Sequence, residues 1–248
     1  MIRRDIVYGQ NPTVHLMDFH GEEDAGRPLF LYFHGGGLET GSRGEADAFA
    51  PRLNARGINV ASVEYRMYPD AKFPDYLHDG ARAASFALEQ IPNAGLFLGG
   101  SSAGAYITMM LCFDTSYLRG AGVNPASIRG YVHNAGQPTT HFRVLKERNL
   151  DGRRLIVDDA APLYYVGLEK EYTPMLFIAA DNDMENRLEQ TNLLLSTLRH
   201  FRYDESRYAL SILHATHCSY VSPKPHPDPR FADLIARFIA SCGEPSLI

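Results

Sequence analysis

A serine lies at the centre of a motif that suits nucleophilic catalysis. Residues 100–104 read Gly-Ser-Ser-Ala-Gly and fit the pattern G-x-S-x-G, with an apolar run before them and a helical pattern after them. A sharp turn between a strand and a helix needs flanking glycines, and it lifts the central residue above the sheet at a helix N-terminus. The N–H groups there favour developing negative charge. We therefore predict that Ser102 is a nucleophile, in preference to Ser101 and to a simple N-cap role.

A run of glycines follows a second apolar stretch. His34 and three glycines come directly after Leu29–Phe33, which is apolar on both faces as a buried central strand must be. Backbone N–H groups in such a loop can approach a substrate carbonyl and stabilise the charge that grows on its oxygen. This arrangement predicts an oxyanion hole, and a merely flexible loop is the alternative. His34 itself is expected to be structural.

Activation of a serine requires an acid and a base, which in this strand–turn–helix context follow it in the chain in that order. An apolar run at 173–180 leads into Asp181 and Asp183, and position alone does not choose between them. His214 and His217 follow the last apolar run. His217 lies past that run, on a loop from which it can reach the serine, whereas His214 is expected to pack. His217 is the predicted base.

Taken together, the motifs resemble a known family. HGGG at 34–37, the serine motif, and the intervening Tyr-Arg-Met-Tyr-Pro and Phe-Pro of residues 65–74 are similar to the esterases of the hormone-sensitive lipase family and their smaller acetylesterase and formamidase relatives. The similarity runs from about residue 29 to about residue 241 and implies an α/β-hydrolase fold. Ser101 stands where the family commonly has an aspartate, which leaves the subfamily open.

The resemblance also implies the roles of individual residues. The family's spacing from strand to acid selects Asp183 over Asp181, which would then form a turn, and it supports His217. The acid would hold the imidazole in the productive tautomer and stabilise the imidazolium. The predicted site is a catalytic triad with three oxyanion-hole donors: Ser102, Asp183 and His217, with the N–H groups of Gly36, Gly37 and Ala103.

These residues need a scaffold of alternating strands and helices. Runs typical of strands lie at 14–19, 29–33, 59–63, 96–98, 128–132, 175–180 and 208–213, and helical spacing lies at 46–56, 76–90, 103–113, 187–200 and 231–241. This alternation predicts a mostly parallel central sheet flanked by helices. Four prolines predict a loop at 222–229. We find no repeat or linker, so residues 1–248 are expected to form a single domain.

Composition argues against several other classes of protein. A chain of 248 residues with 45% hydrophobic content can bury a sizeable core. Its 24 Lys and Arg are scattered and its net charge is −5, so neither nucleic acid nor an anionic membrane is an expected partner. No run approaches the roughly 20 apolar residues of a membrane span, and the N-terminus lacks the apolar stretch of a secretory signal. Three widely spaced cysteines suit reduced thiols in a cytoplasm. No spacing suggests a metal site, and no cofactor is expected.

The room available for a lid bears on the substrate. Few residues precede HGGG, and the stretch from Ser102 to Asp183 must already hold two strands and a helix. Minimal or no lid is therefore expected, with an open site for short acyl groups, acetyl above all. The irregular residues 134–165 should form a pocket wall. Its polar and aromatic residues are interpreted as solvated, or as contacts to a polar alcohol: Gln137, Thr139, Thr140, His141, Tyr164 and Tyr165.

Three functions follow from these features. The first is a serine carboxylesterase that hydrolyses short-chain, mainly acetyl, esters of small molecules or carbohydrates through an acyl-enzyme. The second is an arylformamidase-like amide hydrolase of the kynurenine-pathway kind, which would use the same triad. The third is a non-catalytic binding protein on this fold, against which the intact set Ser102, Asp183 and His217 argues. A small-molecule ester is the expected partner, and a homodimer is compatible with the sequence.

Overall fold

An eight-stranded sheet forms the centre of the computed structural model, which describes residues 1–221 and 228–242. The strands are β1 (Ile2–Val7), β2 (Leu16–His20), β3 (Leu29–Phe33), β4 (Asn59–Val63), β5 (Leu96–Ser101), β6 (Ile128–Asn134), β7 (Met175–Asn182) and β8 (Tyr208–Thr216). Their order is β1-β2-β4-β3-β5-β6-β7-β8. β2 pairs antiparallel with β1 and β4, and the strands from β4 to β8 are parallel. The predicted mostly parallel sheet is confirmed.

The register of the parallel strands aligns their carboxyl ends. Phe33 at the end of β3 lies opposite Gly100 of β5, and Ser101 lies opposite Asn134 at the end of β6. Asn134 in turn lies opposite Ile178 of β7. Loops that leave these strands therefore meet at one edge of the sheet, where ligands bind in folds of this kind.

Helices cover both faces of the sheet. They are α1 (Ala50–Asn54), α2 (Asp75–Gln90), α3 (Ala103–Phe113), α4 (Ser116–Gly120), α5 (Phe142–Glu147), α6 (Arg187–His200) and α7 (Arg230–Ser241). α1 and α7 share one apolar core with Phe30 and Tyr32 of β3, whereas α2, α3 and α6 share the other with Leu29, Leu31 and Phe33. β3 is apolar throughout because it serves both cores. Across residues 1–221 and 228–242, none of the helices has both the length and the apolar character that a bilayer crossing requires.

The structure differs from the expectations at three places in the N-terminal part of the chain. β1 was not expected, because this edge strand is largely exposed and polar. β2 begins at Leu16 rather than 14, because Asn11 and His15 close a turn just before it. The helix expected at 46–56 is a 3-10 segment, Arg43–Ala48, followed by α1, since a proline at position 51 fits only the first turn of a helix. Most of the predicted loop 222–229 lies outside the described residues.

Residues 134–165 are more ordered than their composition suggests. They contain α5 and a 3-10 turn at Pro162–Tyr165. Gln137, Thr139 and Thr140 are at most 5% exposed, so their interpretation as solvated loop residues is wrong. The Gln137 amide donates to Thr139 Oγ1 at 3.2 Å and to the Thr140 carbonyl at 2.9 Å, which satisfies these groups away from water. The segment is a compact wall with one six-residue helix.

A buried histidine lies beneath this edge of the sheet. His133 on β6 is 2% exposed and is surrounded by the rings of Phe113, Tyr131 and Phe177. Its Nδ1 lies 3.0 Å from Thr108 Oγ1, and burial lowers the pKa of its imidazole to about 3. His133 is therefore neutral in the folded protein, and its protonation at low pH favours the unfolded state.

We expect the replacement His133→Phe to weaken the acid sensitivity of the fold. Because the folded-state pKa lies below the unfolded value of about 6.5, the stability contributed by neutral His133 is complete above that pH and is lost as the pH falls toward 3. Between pH 7 and pH 5, the free energy of unfolding in urea should fall by about 2 kcal/mol less in the variant than in the wild type. The exposed His200 gives a control, since His200→Phe should keep the wild-type difference. Equal losses in all three proteins would contradict this account.

Candidate active site

Ser102 lies in the tight turn between β5 and α3. Its φ of 53° and ψ of −111° lie outside the regions that L-residues ordinarily occupy, at a cost of about 1–3 kcal/mol. A Cβ on Gly104 would lie 2.0 Å from the Phe33 carbonyl oxygen, and a Cβ on Gly100 would lie 2.4 Å from the Gly104 carbonyl carbon. Only glycine fits both positions. The two glycines therefore allow α3 to begin against β3, with Ser102 raised above the carboxyl edge of the sheet.

Three side chains from separate loops form a continuous hydrogen-bonded chain. His217 Nε2 lies 2.8 Å from Ser102 Oγ, and His217 Nδ1 lies 2.5 Å from Asp183 Oδ1. Burial of the Asp183 carboxyl raises its pKa, but the hydrogen bond and charge of His217 and the charge of Arg187 outweigh burial and hold the pKa below its ordinary value. With an ionised carboxylate, Nδ1 donates to Asp183 and Nε2 accepts from the serine hydroxyl. This arrangement can transfer a proton from Ser102.

A bulge where β7 and β8 end sets the position of the acid and the histidine. The two strands pair up to Ala180 opposite Leu213, and the next pair is Asn182 opposite Thr216. β8 thus holds one more residue than β7 over this interval. Such a bulge bends the strand and redirects the side chains that follow it. Asp183 and His217 each come one residue after the last pair.

The rival candidates are engaged elsewhere. Ser101 is 1% exposed, and its Oγ lies 2.7 Å from the Tyr32 hydroxyl oxygen and accepts a hydrogen bond from the Asn134 amide at 2.9 Å. His214 Nδ1 lies 2.6 Å from Asp181 Oδ2, and the His214 side chain is 97% exposed. The expectation that His214 packs is therefore wrong, because it belongs to β8, an edge strand whose alternate side chains face water.

The glycine loop, residues 34–41, lies beside the serine. A Cβ on Gly35 would lie 3.5 Å from Ser102 Cβ. The Gly36 carbonyl accepts hydrogen bonds from the N–H groups of residues 39 and 40, and a Cβ on Gly36 would lie 1.9 Å from the Thr40 carbonyl oxygen. With φ of 112° at Gly36, this turn requires glycine. His34 supports the loop from below, with Nδ1 2.7 Å from the Gly35 carbonyl oxygen and Nε2 3.1 Å from Glu64 Oε1.

The backbone donors predicted for the oxyanion hole are unpaired in the part of the chain that the structure describes. Within residues 1–221 and 228–242, no backbone or side-chain acceptor takes the N–H groups of Gly36, Gly37 or Ala103. Ala103 opens α3, so its N–H also carries the positive end of the helix dipole. Such donors can stabilise negative charge on a bound carbonyl oxygen.

A buried polar network supports these loops, and no spacing pattern in the sequence predicted it. Tyr32 O–H lies 2.7 Å from both Ser101 Oγ and Glu45 Oε2, and Glu45 Oε2 also accepts the Gly35 N–H at 3.2 Å. On the other side, Asn134 donates to Ser101 and accepts from Tyr220 O–H at 2.6 Å. The network runs from the glycine loop to the segment after His217. Ser101, the departure from the family motif, is its central member.

The described residues offer no cluster suited to a metal. Across residues 1–221 and 228–242, no group of three or more His, Cys, Asp and Glu side chains converges closely enough to hold an ion.

Comparison with known proteins identifies the fold. Residues 30–149 match the family model described as alpha/beta hydrolase fold. A hyperthermophilic esterase from the archaeon Pyrobaculum calidifontis superposes with a TM-score of 0.74 over 98% of this chain and 85% of its own, at 20% identity. The chain has the α/β-hydrolase fold. A thermophilic esterase from Thermogutta terrifontis, solved with bound butyrate, superposes on this chain with a TM-score of 0.77 over 98% of this chain and 95% of its own, at 14% identity.

Curated relatives of this chain align over a shorter stretch. The versiconal hemiacetal acetate esterase of Aspergillus parasiticus is 41% identical over 78 residues, which are 31% of this chain and 25% of that protein. The isoprenylcysteine alpha-carbonyl methylesterase of Arabidopsis thaliana is 28% identical over 145 residues, 54% of this chain and 34% of that protein. The alignments thus span a quarter to a third of these relatives. The predicted fold class and the esterase-family resemblance are confirmed.

We expect Gly104→Ala to destabilise the protein because the added methyl group would meet the Phe33 carbonyl oxygen. Overpacking against backbone should cost at least about 2 kcal/mol, which lowers the Tm of a protein of this size by roughly 5 °C. The matched control is Gly120→Ala in α4, where a Cβ would meet nothing within 4 Å and alanine is the better helix former. Its Tm should be unchanged or slightly higher. Similar melting temperatures for the two variants in differential scanning calorimetry would refute the steric argument.

Proposed function

We propose that this α/β-hydrolase is a serine carboxylic ester hydrolase that cleaves small esters through an acyl-enzyme on Ser102. The observation that carries the proposal is the unbroken chain from Ser102 through His217 to Asp183, with distances of 2.8 and 2.5 Å, beside a loop of unpaired backbone donors. The names of the relatives, an acetate esterase and a methylesterase, support the same chemistry. The continuous sheet and its two helical layers support the further proposal that residues 1–248 form one domain.

The proposed reaction has two halves. Ser102 Oγ attacks the ester carbonyl carbon while His217 Nε2 takes the hydroxyl proton, and the alcohol then leaves with that proton. Water, activated by the same imidazole, attacks the acyl-enzyme and releases the carboxylic acid. Asp183 remains ionised throughout and stabilises the imidazolium. The N–H groups of the oxyanion hole meet the negative oxygen in both tetrahedral intermediates, and each such donor contributes on the order of 10²–10³ in kcat in well-studied hydrolases.

Short acyl groups, acetyl above all, are the proposed substrates. Residues 134–165 contribute one six-residue helix and a short 3-10 turn, so this segment offers little protein for a deep tunnel. The relatives support this size range. One curated relative is named for an acetate ester, and the Thermogutta terrifontis esterase has been solved with propionate and with butyrate.

The proposed triad is tested by a serine variant and by a matched pair of aspartate variants. Ser102→Ala should lower kcat for 4-nitrophenyl acetate by on the order of 10⁴–10⁶, and Asp183→Asn by about 10⁴, because the latter favours the wrong histidine tautomer. Asp181→Asn is the control, since Asp181 also pairs with a histidine but on the exposed face of β8. It should retain activity within a few-fold. Equal losses at the two aspartates, or a fluorophosphonate label found on Ser101 by mass spectrometry, would overturn the assignment.

The size of the acyl pocket is tested with 4-nitrophenyl esters of increasing chain length. Each further methylene gains about 0.8 kcal/mol only where apolar protein surface covers it. In a shallow pocket this gain ends after a few carbons, so kcat/KM should peak at about two to four acyl carbons and be weak at about eight. A steady rise through the octanoate and decanoate esters would instead reveal a deep apolar tunnel.

A further inference from the structure

A cavity of about 530 Å³ lies next to the proposed catalytic residues, between α5 and the start of α6. Phe142 forms one wall, and its ring lies 3.1 Å from the point that a Cβ on Gly37 would occupy. Met184, which follows Asp183 directly, forms another wall. Through these two residues the cavity adjoins the glycine loop and the turn that carries the proposed acid. A substrate held on Ser102 could extend one of its two ends into this space.

Arg187 lies in the wall of this cavity without an ion pair among the described residues, and the carboxylate of Asp183 is the negative charge that acts on it from a longer distance. The residue is 4% exposed, and its Nε and Nη1 have no hydrogen-bond partner among the residues that the structure describes. Nη2 makes only long contacts, 3.5 Å to Gln137 Oε1 and 4.0 Å to Met184 Sδ. A guanidinium has five N–H donors and remains charged, so its burial is strongly unfavourable without an anion or several acceptors.

The polar groups that border Arg187 are already engaged with one another. The Gln137 amide nitrogen donates to Thr139 and Thr140, and its Oε1 lies 3.5 Å from Arg187 Nη2. Thr139 Oγ1 donates to Gln190 Oε1 at 2.7 Å. These side chains form a closed hydrogen-bonded layer behind the guanidinium. Because Nε and Nη1 are themselves buried, Nη2 with its two long contacts is the guanidinium nitrogen left for an acceptor in the cavity.

The mouth of the cavity carries further positive charge. Lys146 and Arg154 are exposed in its lining, and neither forms an ion pair with a carboxylate in the described part of the chain. Arg153 and Asp151, also in the lining, neutralise each other through a contact of 2.6 Å. Glu185 is the remaining acid of the lining. Including Arg187, the positive charges of the cavity outnumber the negative ones.

Two further features of the cavity wall favour an anion attached to an apolar body. α6 begins at Arg187 and has no side-chain cap at Asn186, so the positive end of its dipole adds to the local potential. Phe142, Leu155 and Met184 supply apolar surface, and the last two are 56% and 46% exposed. An apolar wall with a buried cation at its base matches a carboxylate on a short hydrocarbon or aromatic group.

We propose that this cavity selects esters that carry a carboxylate, with Arg187 as the residue that recognises it. The proposal rests on the proposed ester hydrolysis and deepens it by naming a substrate class. The carboxylate is held by the acyl half or by the alcohol half of the ester. A charge-assisted pair with a buried arginine is stronger than a neutral hydrogen bond and distinguishes a carboxylate from an amide of the same shape.

The experiment compares two pairs of matched esters at pH 7.5, each a carboxylate and its neutral primary amide. For the acyl half the pair is mono-4-nitrophenyl glutarate and its amide, and for the alcohol half it is 3-carboxyphenyl acetate and 3-carbamoylphenyl acetate. The measured quantity is the ratio of kcat/KM for carboxylate over amide. In one of the pairs we expect a ratio of about ten or more for the wild type. The pair that shows it identifies the half of the ester that enters the cavity.

Substitutions of Arg187 test whether the cavity is responsible for this ratio. Arg187→Met should bring the ratio to about one or below, and Arg187→Lys should retain part of the preference because it keeps the charge. The ratio is informative even if overall activity falls, since a purely structural role of Arg187 would lower both esters of a pair alike. Arg199→Met, at the exposed far end of α6, is the control and should change neither the activity nor the ratio.

The possible failures are distinguishable. Ratios near one in both pairs for the wild type would overturn the proposal, and so would a preference that survives in Arg187→Met. If the wild type hydrolyses none of the four esters, the proposed function fails, and the cavity is then tested by thermal shift. A higher Tm with 3-phenylpropionate than with 3-phenylpropionamide would support the carboxylate site, and equal values would overturn it.

Discussion

The approach of α3 to the carbonyl end of β3 is the constraint on which the rest of the site depends. Gly104 leaves no room for a side chain beside the Phe33 carbonyl oxygen, and this closeness allows the chain to reverse within a few residues of β5. The reversal forces Ser102 into a strained conformation and exposes its hydroxyl. It also brings the first N–H groups of α3 next to the glycine loop that leaves β3. The positions of the proposed nucleophile and of the proposed oxyanion donors thus both result from one packing contact.

Strain at Ser102 has to be offset by the structure around it. The Ser102 N–H donates to the Asn134 carbonyl at 2.8 Å, so the turn is tied to the end of β6. The Asn134 side chain joins the network of Ser101, Tyr32 and Tyr220. Buried hydrogen bonds of this kind reinforce one another in a low-dielectric interior. The network therefore holds the glycine loop, the serine turn and the segment after His217 in one arrangement, although none of its members need contact a substrate.

Sequence reasoning succeeded where the signal is local and failed where it depends on distant partners. The serine turn and the glycine loop were recognisable because glycines at fixed spacing meet a steric need that is visible in the chain itself. The burial of Gln137 and the exposure of His214 were not recognisable, because each depends on contacts with residues that are distant in the sequence. Arg187 gave no signal at all, since a charged residue at the start of an amphipathic helix is ordinarily solvated. The burial of Arg187 in a cavity wall becomes visible only in the folded structure.

The bulge between β7 and β8 makes the length of this part of the chain matter more than its composition. Side chains alternate between the two faces of a strand, so deleting one residue from 214–216 would turn His217 to the opposite face, away from Ser102. Insertions and deletions should therefore be excluded here during divergence, even where single replacements are accepted. The connection from α6 to β8, at the other end of the same strand, carries no such restriction. Homologous sequences should accordingly vary in length before β8 and keep a constant count of residues from its bulge to the histidine.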